Sequence, residues 1–474
     1  MAENFFASES LLSDPIHGYI TFTAAKGREE PTEQTLIDHP WVQRLRRIHQ
    51  LQSAWWVYPS AEHTRFQHVL GAMHLASRAV RRLYPSLVDA CRPHPVPSLA
   101  YVESLMRLAA LLHDVGHGPF GHFFDDHFLD SYRLTHEDLG QQIILTELAG
   151  LIRVIRENPH GRLEANEILQ PDHLAFLIKR PGSSSGSGGR KVAQPPELRW
   201  LHLLQSLFSG VYTVDNMDFV LRDSFMSGHG VRAFDLDRLL HYSFFTDQGL
   251  TLHAKGLDSL IHFSEAHGEL FRTLYYHRTV RAIDLSLREI FKPTMKILFP
   301  MNPMEHLSDY GQLTEWSLQV DVHRWLADAD PEKRRLGEAW QAILCRQIHW
   351  KMACERTIPF EQGQPELASI FTDADLVEKK VRSLLPVSLR DLPFRADVAR
   401  HYHRLAGTPS ARLNFVYDPA TQGIAPLAEH PLVARLPVSF SLCRLYVQDQ
   451  SHSAELAAAL DHLLQGRGDD KTNM

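Results

Sequence analysis

A mainly α-helical bundle followed by a smaller α+β lobe is the fold class that the sequence predicts. Three observations predict it. Between about residues 41 and 354, apolar residues recur every three to four positions in segment after segment, the spacing of one helix face. From about residue 355 to 450 prolines become more frequent and the apolar runs shorten to β-like stretches such as ARLNFVYD and VSFSLCRLYV. The composition, 44% hydrophobic and 22% charged over 474 residues, is that of a globular chain long enough to bury a sizeable core.

Along the chain, residues 1–40 read as irregular, with DPIHGYITFT as a short strand or hairpin. WVQRLRRIHQL places Trp41, Leu45 and Ile48 on one helix face and its arginines on the other. HTRFQHVLGAMHLASRAVRRLY predicts a long helix with Phe66, Val69, Leu70, Met73 and Leu75 inward. SLAYVESLMRLAALLHD is apolar enough to be a buried helix, and it ends at the Gly-rich VGHGPFGH. Thr135 is placed to cap the helix THEDLGQQIILTELAGLI. Residues 181–196, PGSSSGSGGRKVAQPP, have the composition of a flexible insertion. Amphipathic helix resumes in LRWLHLLQSLFSGVYTVDNMDFVLRDSFMSG, VRAIDLSLREIFKPTMKIL and EKRRLGEAWQAILCRQIHW. The expected organisation is therefore an N-terminal segment (1–40), a helical domain (41–354) interrupted at 181–196, a C-terminal α+β lobe (355–465) and a disordered tail (466–474).

The net charge of −7 supplies no global basic field, so nucleic acid is not favoured as the main partner, although local basic pockets remain open. Cys91, Cys345, Cys354 and Cys443 show no CxxC spacing and read as reduced thiols of a cytoplasmic protein. The N-terminus lacks a basic region followed by an apolar run, and no uncharged apolar stretch approaches the roughly 20 residues that span a bilayer. A soluble protein without membrane association is expected.

The chain contains 29 histidines, crowded between His63 and His136. Histidine is both the common metal ligand and the common acid–base group at neutral pH, yet surface histidines alone would account for the number. The pair His113-Asp114 has a more telling setting. It closes an apolar helix carrying Leu105, Leu108, Leu111 and Leu112, and it opens into Val-Gly-His-Gly. A carboxylate at a buried helix end is costly unless its charge is compensated. A divalent cation would do so, the imidazole and carboxylate together suiting a first-row transition metal. The plainer alternative is an Asp that caps the next turn with the His packed beside it. His68 upstream and Asp215 downstream lie on amphipathic helices whose apolar faces must pack against a core helix, so each can bring a ligand to the pair. Alone, each is as readily a half-buried histidine or a helix cap.

The order H-(about 45)-HD-(about 100)-D resembles the HD superfamily. DPIHGYI, QRLRRIHQL, AEHTRFQHVLGAMHLA, LLHDVGHGPFGHFFDD, THEDLG and VDNMDFVLRD are similar, in order and nearly in spelling, to deoxynucleoside triphosphate triphosphohydrolases, the SAM-and-HD-domain dNTPases and their bacterial relatives. The resemblance extends from about Asp14 to about Asn414, weakens in the C-terminal lobe and does not include a SAM domain. It implies an HD-domain helical bundle with His68, His113, Asp114 and Asp215 as metal ligands. The cofactor implied is a divalent transition metal (Mn, Fe, Co, Ni or Zn), with Mg accompanying the substrate phosphates as a further option. It also implies His136 as the general acid with Asp125 as its partner, and His117 and His122 as donors to the α-phosphate. Arg65 would contact phosphate, Gln50 and Leu51 the sugar 3′-hydroxyl and base, and Tyr275 and Asp223 the deoxyribose.

The activity implied is cleavage of a deoxynucleoside triphosphate to deoxynucleoside and triphosphate by a homo-oligomer, dimer or tetramer. Two departures stand out. Asn216 and Phe219 occupy positions where the family carries lysine and tyrosine, and His267 stands where an arginine is expected. Phosphates must then be held by other residues, such as Arg65 or Arg272, or the substrate differs. The alternatives are a phosphohydrolase of another nucleotide (mono-, di-phosphate or modified) and a nucleotide-sensing or nucleic-acid-binding regulatory protein.

Overall fold

The structure, a computed structural model, describes residues 8–25, 30–179, 198–230, 233–360, 369–402, 414–434 and 439–465. The insertion expected at 181–196 and the tail expected at 466–474 lie outside the described residues.

The DPIHGYITFT segment forms an antiparallel hairpin of β1 (Glu9–Asp14) and β2 (Gly18–Thr23), with Asp14 opposite Gly18. Gly18 sits at φ +74, and Asp14 Oδ1 accepts from the backbone N–H of Ile16 and His17. The expected WVQRLRRIHQL helix is shorter than its pattern: Pro40–Gln43 is α-helical, Arg44–Arg47 tightens to a 3₁₀ turn, and Ile48 is extended. Arg44 is not on a solvent face. It is fully buried because its guanidinium donates to the carbonyls of Leu313 and His117, which removes the usual penalty of burying a cation's donors.

Helix α1 (Arg65–Cys91) starts at Thr64, whose backbone and side chain both meet the Gln67 side chain in a capping box. It packs along α2 (Leu99–Leu112), in which every residue from Tyr101 to Leu112 is buried. Two of these, Glu103 and Arg107, are charged. Arg107 pairs with Glu33 at 2.5 Å, and Glu33 accepts from Thr23, so the core helix anchors the N-terminal hairpin. Short helix α3 (His122–His127) and α4 (His136–Thr146) follow, then α5 (Arg199–Ser209) and α6 (Val214–Ser227), the last lying against α1. Helices α7 (Leu257–Leu270) and α8 (Arg278–Leu298) complete the surroundings of the site.

The C-terminal region has its own core, centred on Phe360, Val377, Val381, Phe394, Leu445 and Leu460. Strands β5 (Lys351–Phe360), β6 (Phe394–Tyr402) and β9 (Ser439–Val447) form an antiparallel sheet in the order β5-β9-β6, packed on helices α9 (Ala374–Leu384) and α10 (Ser453–Gln465). All nine residues of β9 are buried. The NFVYD run behaves differently from its neighbours. As β7 (Asn414–Asp418) it pairs in parallel with β4 (Leu250–His253) of the helical body, in a sheet completed by β3 (Ser243–Phe245) and β8 (Gly423–Pro426). Among the described residues no helix is long and apolar enough to cross a membrane, and all four cysteines are free thiols.

Candidate active site

The structure brings His68, His113, Asp114 and Asp215 together at one buried point. His68 comes from the first turn of α1, His113 caps the C-terminus of α2, and Asp215 is in the first turn of α6, where Thr213 caps the helix by accepting from Asn216 N–H. His68 Nε2 lies 3.3 Å from His113 Nε2, 3.1 Å from Asp215 Oδ1 and 4.0 Å from Asp114 Oδ2. His113 Nε2 lies 3.4 Å from Asp114 Oδ1 and 3.7 Å from Asp215 Oδ1. Metal–ligand bonds of about 2.0–2.2 Å put neighbouring ligands about 3 Å apart and opposite ones about 4.2 Å apart. These separations and the donor set fit a divalent first-row ion, and the His68, His113 and Asp114 group is able to hold one, with Asp215 Oδ1 3.1 Å from His68 Nε2 beside it.

Each imidazole is turned so that Nε2 faces the cluster. His113 Nδ1–H donates to the Ala110 carbonyl at 2.7 Å and His68 Nδ1–H to Asp218 at 2.8 Å. Asp218, fully buried, also accepts from His17 Nε2 at 2.7 Å and pairs with Arg222, which reaches Asp14 at 2.8 Å. The hairpin tip therefore braces a ligand on α1 through α6. These supporting residues escaped the sequence reading, although Asp215, Asp218 and Arg222 stand at one-turn intervals and Asp14 and His17 lie in DPIHG. Gly71, one turn after His68, makes room for them: a Cβ there would sit 1.9 Å from Asp218 Oδ1. Burial alone would lower the His68 pKa, but Asp215 and Asp218 hold it up at about 10, so metal binding at Nε2 must release a proton.

A second His/Asp group adjoins the first. His136, at the first position of α4 behind the Thr135–Asp138 capping box, places Nδ1 2.5 Å from Asp125 Oδ2. His122 Nδ1 is 3.4 Å from the same oxygen. The His117 ring stacks on His136 at 3.7 Å with planes 14° apart. Burial opposes charge on both stacked rings, yet their pKa values are pushed apart. The Asp125 carboxylate outweighs burial and raises His136, whereas burial reinforced by the Arg65 and His136 charges holds His117 well below its ordinary value. Among the described residues, His117 Nδ1 and Asp125 Oδ1 have no hydrogen-bond partner. Arg44 secures this loop through the His117 carbonyl, and Gly116 permits its close approach, since a Cβ would lie 2.1 Å from the His136 carbonyl oxygen.

Both groups adjoin a cavity of about 490 Å³, of the size that encloses a small organic ligand. Gln50, Leu51, Arg65, His113, Asp114 and His122 line it, as do His136, Asp215, Asp223 and Tyr275. His68, His117 and Asp125 stand behind that wall. Arg65 Nη1 donates to Asp114 Oδ2 at 2.6 Å. Tyr275, on the π-helical turn that follows α7, donates its hydroxyl to Asp223 Oδ2 at 2.5 Å, while Asp223 Oδ1 meets His63 at 2.8 Å. Gln50 Oε1 is buried without a partner. Asn216, Phe219 and His267 all line the cavity, with the Phe219 and His267 rings 5.5 Å apart. Three arginines not singled out in the sequence, Arg281, Arg288 and Arg400, also line it.

Residues 65–181 match the family described as HD domain. The chain is 26% identical to the uncharacterized protein YwfO of Bacillus subtilis, over 82% of this chain and 81% of that one. It is 29% identical to deoxynucleoside triphosphate triphosphohydrolase SAMHD1 of Bos taurus over 59% of this chain and 47% of that enzyme, and 26% identical to the Gallus gallus protein of the same name over 72% and 55%. The match thus spans about half the length of these triphosphohydrolases. In fold, it is similar to a hypothetical protein from Aquifex aeolicus, with TM-score 0.66 and 23% identity over 95% of this chain and all of that one. With its His-Asp pair at a buried helix end inside residues 65–181, the chain carries an HD-domain match and is similar to deoxynucleoside triphosphate triphosphohydrolases.

Proposed function

We propose that this protein is a metal-dependent phosphohydrolase that cleaves deoxynucleoside triphosphates at the α-phosphate, releasing deoxynucleoside and triphosphate. The observation that carries this reading is one cavity with a two-His, two-Asp cation site beside the hydrogen-bonded His136–Asp125 pair. His68, His113, Asp114 and Asp215 would hold a divalent cation of the Mn, Fe, Co, Ni or Zn group, which when bound polarises a phosphoryl group and makes water more acidic.

The protein's own groups supply the rest. As water bonds to the α-phosphorus and loses a proton to solvent, and the bond to O5′ breaks, His136 would deliver its Nε2 proton to O5′ and be reprotonated from solvent, with Asp125 orienting the ring and favouring its charged form. His117, held well below its ordinary pKa, and His122 would donate to the α-phosphate, and Arg65 would add a fixed charge beside them. Gln50 Oε1, lacking a partner, suits the sugar 3′-hydroxyl. The Tyr275 ring, tied to Asp223, would pack against C2′ and leave no room for a ribose hydroxyl. The SAMHD1-like relatives support a nucleotide substrate.

The Asn216, Phe219 and His267 stretch of wall carries no lysine or arginine, which favours one competing reading, a nucleotide with fewer phosphates. Turnover of a dNTP, dNDP and dNMP panel separates the two. Preferred use of dNTP supports the triphosphohydrolase, and equal or better use of dNMP overturns it.

A further inference from the structure

Asn216, Phe219 and His267 offer no fixed charge to phosphates beyond the first, but another wall of the same cavity does. Arg281 and Arg288 on α8 are seven residues apart, two helical turns, so they share a face at about 10 Å along the axis. Both line the cavity. Phe291, one turn beyond Arg288, packs against Phe123 and Phe124 of α3 with centroids 5.2 and 6.1 Å away. The two arginines thereby stand beside the helix that begins with His122. Their field is felt there: burial, reinforced by Arg288 and Arg281, lowers the His127 pKa to about 4.

The two guanidinium groups differ in freedom. Arg281 is held by Asp397 of β6, with Nη2 2.5 Å from Oδ1 and Nε 3.0 Å from Oδ2, and it reaches Asp284 at 3.3 Å. Its planar fork is thus fixed in orientation before any ligand arrives. Arg288 approaches Asp397 only to 3.8 Å, and its side chain is 37% exposed. One anchored and one loosely held arginine along a cavity wall suit an anion that enters from solvent. Asp126 and Asp284 are acidic residues that line the cavity at this end, and burial favours the neutral form of each.

We propose that Arg281 and Arg288 form the seat of the second and third phosphates and select for a triphosphate tail. This rests on the triphosphohydrolase reading above. The experiment is calorimetric titration of the full-length, metal-loaded protein with inorganic tripolyphosphate and with orthophosphate, comparing wild type, Arg288→Gln and Arg288→Lys. Because Arg288 is partly exposed with one long contact, its variants should fold, which circular dichroism checks. Arg288→Gln should weaken tripolyphosphate about tenfold or more, with partial recovery in Arg288→Lys and far less effect on orthophosphate. Unchanged tripolyphosphate affinity, or equal loss for both anions, overturns the assignment. Parallel turnover of dNTP and dNMP by wild type keeps the two ideas separable. Preference for dNMP would sink the triphosphohydrolase reading, whereas a selective loss of tripolyphosphate in Arg288→Gln would still place a polyphosphate seat at these arginines.

Discussion

Replacing Asp218 by asparagine tests how the cation site is braced. Asp218 is fully buried and accepts from His68 Nδ1 at 2.8 Å, from His17 Nε2 at 2.7 Å and from Arg222 Nε and Nη2, each at 2.9 Å. The asparagine would keep the shape but lose the charge, and its amide NH₂ would face at least one of these donors. Two losses follow. His68 would no longer be held with Nε2 facing the site, and losing such a supporting contact lowers metal affinity by about 10–100-fold. Arg222 would retain only Asp14, at 2.8 Å. Removing one partner of a buried ion pair costs about 3–5 kcal/mol, and Asp14 should keep the cost near the lower end. Metal affinity is measured by competition with a chelator, and stability by denaturant unfolding of the metal-free protein. Asp14→Asn is the control, since it removes Arg222's other partner without touching His68. It should cost stability and weaken metal affinity far less than Asp218→Asn does. Unaltered metal affinity in Asp218→Asn would refute the positioning role, as would an equal loss in Asp14→Asn.

Other perturbations separate the cation site from the proton donor. Asp114→Ala should abolish bound metal and turnover together, read by elemental analysis beside an activity assay; full retention of either breaks the assignment. His136→Ala should lower turnover by about 10²–10⁴-fold with metal content intact, and metal loss would instead make His136 a ligand. With His136 as the proposed general acid its protonated form is the active one, and Asp125 outweighs burial to raise its pKa above 6.5, so with metal kept saturating kcat should fall as pH rises through that elevated value. In Asp125→Asn the falling limb of the kcat–pH profile should move to lower pH; an unmoved limb assigns it to another group. Gly71→Ala, whose Cβ would meet Asp218 Oδ1 at 1.9 Å and Arg222 Nη2 at 2.3 Å, should cost about 1–3 kcal/mol in denaturant unfolding and weaken metal binding.

The parts that were legible in the sequence are those written in local pattern. Helical periodicity placed the long helices that carry His68 and His113, and the Thr135 cap appears where its spacing to Asp138 requires. The candidate ligands stood out because a carboxylate at an apolar helix end is costly unless compensated, although an Asp capping the next turn would also explain the pair. What stayed hidden depends on contacts distant in sequence. Asp14 and Arg222 are 208 residues apart, and nothing local marks either as a brace. Arg44 reads as a surface residue in its own helix pattern, and only the Leu313 and His117 carbonyls explain its burial. The NFVYD run showed its strand propensity but not its partner, because propensity specifies no pairing, and it joined β4 of the helical body. Arg281 and Arg288 look like the polar face of an amphipathic helix until α3 and β6 are packed around them.

The most direct measurement is hydrolysis of a dNTP by the metal-loaded protein in isotopically labelled water, with products resolved by mass spectrometry. Attack at the α-phosphorus predicts unlabelled deoxynucleoside and intact tripolyphosphate carrying one labelled oxygen. Label in the deoxynucleoside, or release of orthophosphate or pyrophosphate as the first product, would contradict it.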